Sequence, residues 1–183
     1  MQKISAEQLV DFWFSERVQK MWFNSTKDFD KELYDDYYQT YESAFNGELD
    51  HWGESSLGSL ALVIILDQFP LNMFRNTARC FESENKALQT AMAAIKNKQD
   101  LALANEQKMF IYMPFMHSEK LQDQDRAVEL FTAVGLDGNL KFAKHHRDII
   151  RKYGRFPHRN AILGRTSTTE ETAYLESENA FLG

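Results

Sequence analysis

A chain of 183 residues with 43% hydrophobic residues, 8 glycines and 3 prolines can build a core of its own and is not disordered or fibrous. Its net charge of −6 argues against a protein that coats duplex nucleic acid, because such proteins need a broad basic face. The single cysteine, Cys80, excludes an internal disulfide and fits a reducing cytoplasm, where we expect the protein to reside.

Helical patterns begin close to the N-terminus. Ser5 and Gln8 have the spacing of a capping box and open a first predicted helix. Apolar and aromatic residues at spacings of four predict a second, longer helix over residues 29–45. Gly47 follows as the expected left-handed cap.

The longest apolar run is LALVIIL, residues 60–66, which Asp67 ends. Seven residues cannot cross a bilayer, so we interpret the run as part of a buried third helix that begins near residue 55 and stops at Pro70. The N-terminal segment MQKISAEQLVDFWFSE lacks the basic, apolar and small-residue order of a signal peptide. We therefore expect no membrane partner.

The second half of the chain predicts further helices over residues 82–97, 104–113, 118–135 and 140–153, and a short one that follows residue 168. Pro114 is expected to end the second of these helices, Ser118 to cap the third and Gly135 to close it. Thr168 and Glu171 form a capping box for the last helix.

No segment alternates as a strand does, and no stretch resembles a linker. Helices in sequential pairs, joined by short turns, predict an all-α fold in a single domain over residues 1–183. We expect about seven to nine helices, stacked as antiparallel hairpins in a tetratricopeptide-like arrangement. A repeat of 34 residues is not visible, so any repeat is degenerate.

The segment GRFPHRNAILGRTSTTEE, residues 154–171, concentrates positive charge in an acidic chain. Residues 145–165 carry six basic side chains against one acid, Asp148, for a net charge of about +5, which leaves about −11 for the rest. Gly154 ends the preceding helix and Pro157 stiffens the turn. A focused basic segment of this kind indicates a site for a small, phosphate-sized anion.

Strong hydrogen-bond donors fill this loop, and two interpretations of them remain open. In the first, the donors bind an anionic ligand, since the planar fork of arginine suits carboxylate and phosphate oxygens. In the second, they lock the loop by pairing with acids such as Asp67 and Glu119, or by capping helix carbonyls. The donors are Arg155, His158, Arg159 and Asn160.

Adjacent histidines on a helix point about 100° apart, so His145 and His146 cannot both serve one site. His146 shares the apolar face of its predicted helix with Phe142, whereas His145 lies on the charged face. His146 is therefore the inward-facing candidate. It is either a core histidine bonded to a carbonyl group or an acid–base group.

The segment DQFPLNMFR, residues 67–75, places polar side chains directly after the most apolar helix. At least one of Asp67 and Gln68 should be buried, and a buried carboxylate needs a partner, for which the loop arginines are the obvious supply. Asn72 and Arg75 add further polar groups nearby.

A third segment, YMPFMHSE, contains His117 and Glu119. These residues could offer metal ligands, but Ser118 and Glu119 are equally typical of the first residues of a helix. No His-x-x-x-His or comparable spacing supports a metal site. Dinucleotide-binding, P-loop, nucleophile-elbow and paired-cysteine motifs are absent. We therefore expect neither a metal nor a cofactor.

The segments LALVIILDQFPLNMFR, YMPFMHSE and HHRDIIRKYGRFPHRNAILGRTSTTEE resemble the landmarks of the bacterial family catalogued as domain of unknown function 924. VDFWF, MWF, FDKEL and AFNGELDHW also fit its pattern, so the resemblance covers nearly the whole chain. It implies an all-α, tetratricopeptide-like fold and no settled activity. The family's polar landmarks fall here on Asp67, Gln68, Asn72, Arg75, His117, Glu119, His146, Arg155, His158, Arg159, Asn160 and Arg165.

One position departs from the family's pattern. The family usually reads Asp-Gln-Phe-Pro-Arg-Asn, and this chain has Leu71 in place of the arginine. Either that arginine is dispensable, or the ligand of this member carries less negative charge.

These residues favour a cytoplasmic enzyme or ligand-binding protein that takes a small anionic molecule, such as a phosphorylated metabolite or a nucleotide. His146 or His158 would be the acid–base group, and Asp67 would orient a histidine or an arginine. The arginines expected to hold the anion are Arg155, Arg159 and Arg75. The remaining polar landmarks would line the same site.

The alternative is a tetratricopeptide-like adaptor whose groove takes an acidic peptide or a C-terminal carboxylate. An enclosed pocket lined by histidine, aspartate and arginine would favour the first function, and an open groove would favour the second. The sequence leaves the reaction and the oligomeric state open.

Overall fold

The computed structural model describes residues 4–182, which form helices with no strand among them. The predicted all-α fold is confirmed, and the nine helices lie within the expected number when Ser56–Met73 is counted as one continuous helix. The α-helical segments are α1 (Ala6–Trp13), α2 (Glu16–Gln19), α3 (Lys27–Phe45), α4 (Ser56–Val63), α5 (Phe69–Met73), α6 (Glu84–Lys96), α7 (Asn105–His117), α8 (Leu121–Ala133), α9 (Asp137–Tyr153) and α10 (Thr169–Leu175). Shorter 3-10 turns lie at Asp50–Glu54, Ala78–Phe81, Gln99–Ala102 and Pro157–Arg159.

Local capping signals in the sequence fall where helices begin and end. The capping boxes of Ser5 with Gln8 and of Thr168 with Glu171 are both formed, at α1 and α10. Gly47 has a φ of 88°, the left-handed conformation predicted for the residue that closes α3.

The most apolar helix does not stop at Pro70, so that prediction is wrong. A π-helical turn, Ile64–Gln68, joins α4 to α5, and Pro70 falls in the first turn of α5, where a missing N–H group costs little. In an α-helix, the nitrogen at position 70 would donate to the carbonyl oxygen of Leu66. That oxygen instead accepts a hydrogen bond of 2.6 Å from the hydroxyl group of Ser83.

By length and composition alone, Ser56–Met73 could cross a membrane, because its mean hydropathy is 1.4 over 18 residues. In the structure, however, 72% of this helix is buried, as is typical of a core helix. The cytoplasmic location and the lack of a membrane partner stay predictions.

Pro114 lies inside α7 rather than at its end, so the helix continues to His117 against the prediction. Residues 109–116 are all buried. Packing on every side of this stretch therefore maintains the helix even though the proline removes one backbone donor.

Ser118 is not the N-cap of the next helix, because α8 begins at Leu121. The hydroxyl group of Ser118 instead accepts from the backbone N–H of Lys120 at 3.2 Å and donates to Asp123 at 2.6 Å. The serine thus stabilises the turn that leads into α8 rather than the helix end itself.

The chain divides into two compact units, Met1–Arg75 with Arg79–Pro114, and Asn76–Ala78 with Phe115–Gly183. In the first unit, α4 packs against α1, α6 and the turn Asp50–Glu54. In the second unit, α8 and α9 form a helical hairpin, and α10 packs against the 3-10 turn of the basic loop. The single domain predicted over residues 1–183 stays a prediction.

A small core in the second unit is built from Ile149, Ile150 and Phe156. His146 lies on the same side of α9 and is only 5% exposed, as its position on the apolar face predicted. Phe142, which the same pattern predicted to be buried, is 59% exposed. The apolar pattern of α9 therefore extends one turn beyond the part of the helix that is covered.

Candidate functional site

The basic loop of the second unit is shaped by its backbone. Gly154 ends α9 in the left-handed conformation, with a φ of 72°. Phe156 is fully buried and anchors the loop to the core, and Pro157 opens the turn Pro157–Arg159. Gly164, with a φ of 65°, reverses the chain toward α10.

Arg155 forms a two-pronged ion pair with Glu171. The guanidinium donates from Nε to Oε1 at 2.7 Å and from Nη2 to Oε2 at 2.8 Å. The same carboxylate accepts from the side-chain amide of Asn160 at 3.2 Å and from the backbone N–H of Thr168 at 2.7 Å. The hydrogen bonds from Arg155 are the main reason why the pKa of Glu171 is lowered to about 2.

Arg165 forms a second two-pronged pair, with Glu119, at 2.7 and 3.0 Å. The backbone N–H of Phe156 also donates to this carboxylate at 2.8 Å. Burial by itself would raise the pKa of Glu119, but the bonds from Arg165 and Phe156 outweigh it and lower the pKa. Nε of Arg165 donates to the Asn160 side chain at 2.9 Å, so Asn160 links the two ion pairs.

Arg155, which was expected to hold the anion, and Arg165, a further predicted site residue, thus have internal carboxylate partners. The structural interpretation expected Glu119 to pair with one of the donors Arg155, His158, Arg159 and Asn160, but its two-pronged partner is Arg165. Arg155 binds Glu171 instead, an acid that the sequence marked only as a capping residue. Both carboxylates are at most one-third exposed, so these pairs hold the loop against the unit's own core.

Arg159 lies inside the loop and is only 6% exposed. Its guanidinium donates from Nη2 to the backbone carbonyl of His117 at 3.1 Å and lies 4.6 Å from the centre of the Phe156 ring, within range of a cation–π contact. A buried cation is thus fixed between the end of α7 and the loop.

His146 is held in one tautomer by its own helix. Its Nδ1 lies 2.8 Å from the carbonyl oxygen of Phe142, and because a carbonyl can only accept, this nitrogen carries the hydrogen. The other ring nitrogen, Nε2, then bears a lone pair. Burial lowers the pKa of His146 to about 3, and repulsion from His117, His145 and His158 adds to this effect.

His158 is partly buried in the turn that follows Pro157. Burial, then the charge of Arg159, lowers its pKa to about 4, although Glu119 acts in the opposite direction. Its Nδ1 is buried and has no hydrogen-bond partner within the described residues 4–182. Such a nitrogen is costly to leave unbonded.

Aromatic rings separate the two imidazoles. The Phe156 ring lies 5.5 Å from that of His146 and 5.6 Å from that of His158. The Phe181 ring lies 4.4 Å from His146 and 4.9 Å from His158. The imidazoles therefore face one small volume that Phe181, from the C-terminal segment, occupies.

Hydrogen bonds link the predicted polar residues of the first unit. Asp67 is 2% exposed and accepts from the Gln68 side chain at 2.5 Å. The Asn72 amide donates to the Gln68 carbonyl at 3.0 Å, and Arg75 donates to the Asn72 side chain at 2.8 Å. Arg75 also forms a two-pronged pair with Asp30, so its charge is neutralised within this unit.

A sequence profile for bacterial proteins of unknown function, DUF924, matches residues 9–179. The chain belongs to the DUF924 family. The family was therefore correctly predicted from the three polar segments.

The structure of a DUF924-like fold is known from a protein of unknown function from Agrobacterium tumefaciens. It matches this chain with a TM-score of 0.88 at 41% sequence identity, over 93% of this chain and 96% of that one. No curated protein matches the chain. The comparisons thus establish fold and family and assign no activity.

Leu71, the position expected to depart from the family's pattern, lies in α5. Arg75, four residues later, supplies a cation at this end of the helix, but Asp30 binds it. This DUF924 protein therefore carries little uncompensated positive charge here.

Two residues of the candidate site were not found from the sequence. Glu171 gave a signal as a capping residue, but its pairing with Arg155 depends on how α10 packs. Phe181 gave only the weak signal of an aromatic residue in a polar C-terminal segment. Within residues 4–182, no group of three or more histidine, cysteine, aspartate or glutamate side chains could hold a metal ion, and the expected lack of a metal stays a prediction.

A shallow depression of about 640 Å³ lies at the junction of α9 and α10. It is lined by Lys152, Tyr153, Glu170, Ala173, Tyr174, Ser177 and Asn179. None of these residues was a predicted site residue of this DUF924 protein, and we assign the depression no role.

Proposed function

We propose that this protein binds a small anionic molecule at the imidazole–arginine cluster, defined as His146, His158 and Arg159, and that one imidazole exchanges a proton with it. The observation that carries the proposal is two imidazoles kept neutral beside a guanidinium that is only 6% exposed. Strongly perturbed titratable groups next to a fixed charge are characteristic of binding and catalytic sites.

The proton chemistry follows from the tautomers. At neutral pH both imidazoles lack a charge, since their pKa values are about 3 and about 4. Each therefore offers a lone pair that can accept a proton or a hydrogen bond. An anion bound beside them favours the protonated form, which raises both pKa values toward the range in which histidine transfers protons well.

The ion pairs around the cluster limit the negative charge that a ligand can carry. The Arg155 and Arg165 guanidinium groups are neutralised by Glu171 and Glu119. The ligand therefore needs less negative charge than a net charge of about +5 for residues 145–165 suggests, and a carboxylate or a phosphate ester meets this need.

The adaptor function has less support. It needs basic and amide side chains presented on an open face, as in recognition of a terminal carboxylate. The side chains of Arg155, Asn160 and Arg165 are instead occupied by Glu119 and Glu171.

A panel of carboxylates and phosphate monoesters, screened by thermal shift, tests the proposal. An anion that binds the folded state raises the melting temperature. The same anion should move the imidazole NMR signals of His146 and His158 and raise their pKa values. An anion that stabilises the protein but leaves both histidine signals unchanged binds elsewhere and contradicts the proposed site.

Arg159→Gln provides the decisive variant, because loss of one charge-assisted contact weakens binding by about tenfold to a hundredfold. Arg151→Gln is the matched control, since Arg151 is 53% exposed and pairs with Asp148 on the surface. Arg159→Lys keeps the charge and serves as a second variant if the glutamine variant is unstable. Equal affinity of all three variants and the wild type would contradict the proposal.

A further inference from the structure

The phenyl ring of Phe181 occupies the centre of the histidine group. It lies 4.4 Å from the ring of His146, 4.9 Å from that of His158 and 6.3 Å from that of His145. It also packs against the core cluster that contains Phe156. A side chain from the C-terminal segment thus covers both imidazoles that the proposed function uses.

Over residues 179–182, the described part of the C-terminal segment is attached mainly through Phe181. The backbone N–H of Phe181 donates to the hydroxyl oxygen of Tyr174 at 2.9 Å. The next residue, Leu182, is 69% exposed, and Asn179 is also exposed. A segment with so few buried contacts can detach without unfolding the rest of the protein.

We propose that Phe181 is a removable plug, whose ring holds the place taken by a flat ring of the ligand when the C-terminal segment moves aside. This inference rests on the proposed function. It narrows the ligand to an anion that carries an aromatic or heteroaromatic ring.

The surroundings of the Phe181 ring support this ligand class. His158 meets it edge to face, with an angle of 86° between the ring planes, and His146 meets it at 59°. These are arrangements in which aromatic rings attract each other, so a ligand ring in the same place would keep the contacts. The anionic group of the ligand would then be directed to Arg159, which lies against Phe156 in the same loop.

Benzoate and acetate are matched probes, since both carry one negative charge and only benzoate has a ring. Their affinities are measured by NMR titration of the histidine signals in the wild type, Phe181→Ala and Leu182→Ala. We expect Phe181→Ala to bind benzoate about tenfold more tightly than the wild type does, with acetate changed much less. Leu182→Ala should behave as the wild type.

Tyr174→Phe is a second variant in case Phe181→Ala is unstable. It removes the hydroxyl group that holds the segment and keeps the ring of Phe181, so a smaller gain for benzoate is expected. Equal gains for acetate and benzoate, or no gain for benzoate, would overturn the plug. If acetate binds the wild type and all variants equally, and benzoate binds Phe181→Ala no more tightly than the wild type, the proposed function stands without the plug. If neither probe moves a histidine signal in any variant, both proposals fail for carboxylates and the plug is rejected.

Discussion

The hydroxyl group of Ser83 donates a hydrogen bond of 2.6 Å to the carbonyl oxygen of Leu66, in the helical turn before Pro70. Proline has no N–H to offer this carbonyl, and Ser83 is fully buried, so water cannot replace the bond. A serine 17 residues away in sequence therefore completes the hydrogen bonding of the central helix.

Ser83→Ala should lower the free energy of unfolding by about 1–3 kcal/mol, because it leaves the Leu66 carbonyl buried and unbonded. Chemical denaturation measures this. Ser177→Ala is the control, since Ser177 is exposed and bonds only to a carbonyl three residues away. The free energies of unfolding of the two variants should differ by about 1 kcal/mol or more. Equal free energies of unfolding would show that the Ser83 bond contributes nothing to stability.

Glu171→Gln should destabilise the protein by about 1.5–3 kcal/mol, because the carboxylate accepts from Arg155, Asn160 and Thr168. The neighbouring variant Glu170→Gln changes the same charge on an exposed side chain and should stay within about 0.5 kcal/mol of the wild type. Thermal denaturation of the two variants under the same conditions measures the difference in their stability. If both variants have the same melting temperature, Glu171 does not stabilise the loop.

The pair of Glu119 and Arg165 should show a coupling energy of about 1–3 kcal/mol in a double-mutant cycle with glutamine at both positions. The bonds are two-pronged and both side chains are less than one-third exposed. The surface pair of Arg126 and Glu129 is the matched cycle, with an expected coupling below about 0.5 kcal/mol. Similar values for the two cycles would contradict a structural role for the loop pair.

The stability of the protein should fall as the pH is lowered from 7 to 5. Burial holds the pKa values of His146 and His158 at about 3 and about 4, below the ordinary value of 6.5. Between these values the unfolded chain binds protons that the folded chain does not, so each histidine contributes a slope of up to about 1.4 kcal/mol per pH unit. The stability that the two neutral histidines contribute is fully present above pH 6.5. It is lost as the pH falls toward their pKa values in the folded protein, about 3 and about 4.

His158→Asn should flatten this slope by the contribution of one histidine. Denaturation curves at several pH values between 7 and 5 measure the change, and the slope remains readable even if the variant is less stable. His51→Asn, at an exposed position in the first unit, should leave the slope close to that of the wild type. A slope for His158→Asn that equals the wild-type slope would show that His158 titrates alike in the folded and unfolded chains.

Much of the helical architecture was predictable from local pattern. The capping boxes at Ser5 and Thr168 and the left-handed Gly47 depend only on residues within a few positions of each other, which the sequence displays directly. The burial of Asp67 and His146 followed from their places on apolar helices. The three polar segments were also sufficient to assign the family.

The partners of the charged side chains depended on tertiary structure. Arg165 pairs with an acid 46 residues away and Arg155 with one 16 residues away, and no periodicity encodes such pairings. Phe181 covers the histidines because the C-terminal segment returns across α9. Pro70 lies within the central helix because the Ser83 hydroxyl group bonds the Leu66 carbonyl, and Pro114 lies within α7 because the residues around it are buried; local propensity alone predicts a helix end at both prolines. Backbone sterics and side-chain periodicity act locally and can be read along the chain, whereas the choice of ion-pair partner is made by whichever groups the packed helices bring together.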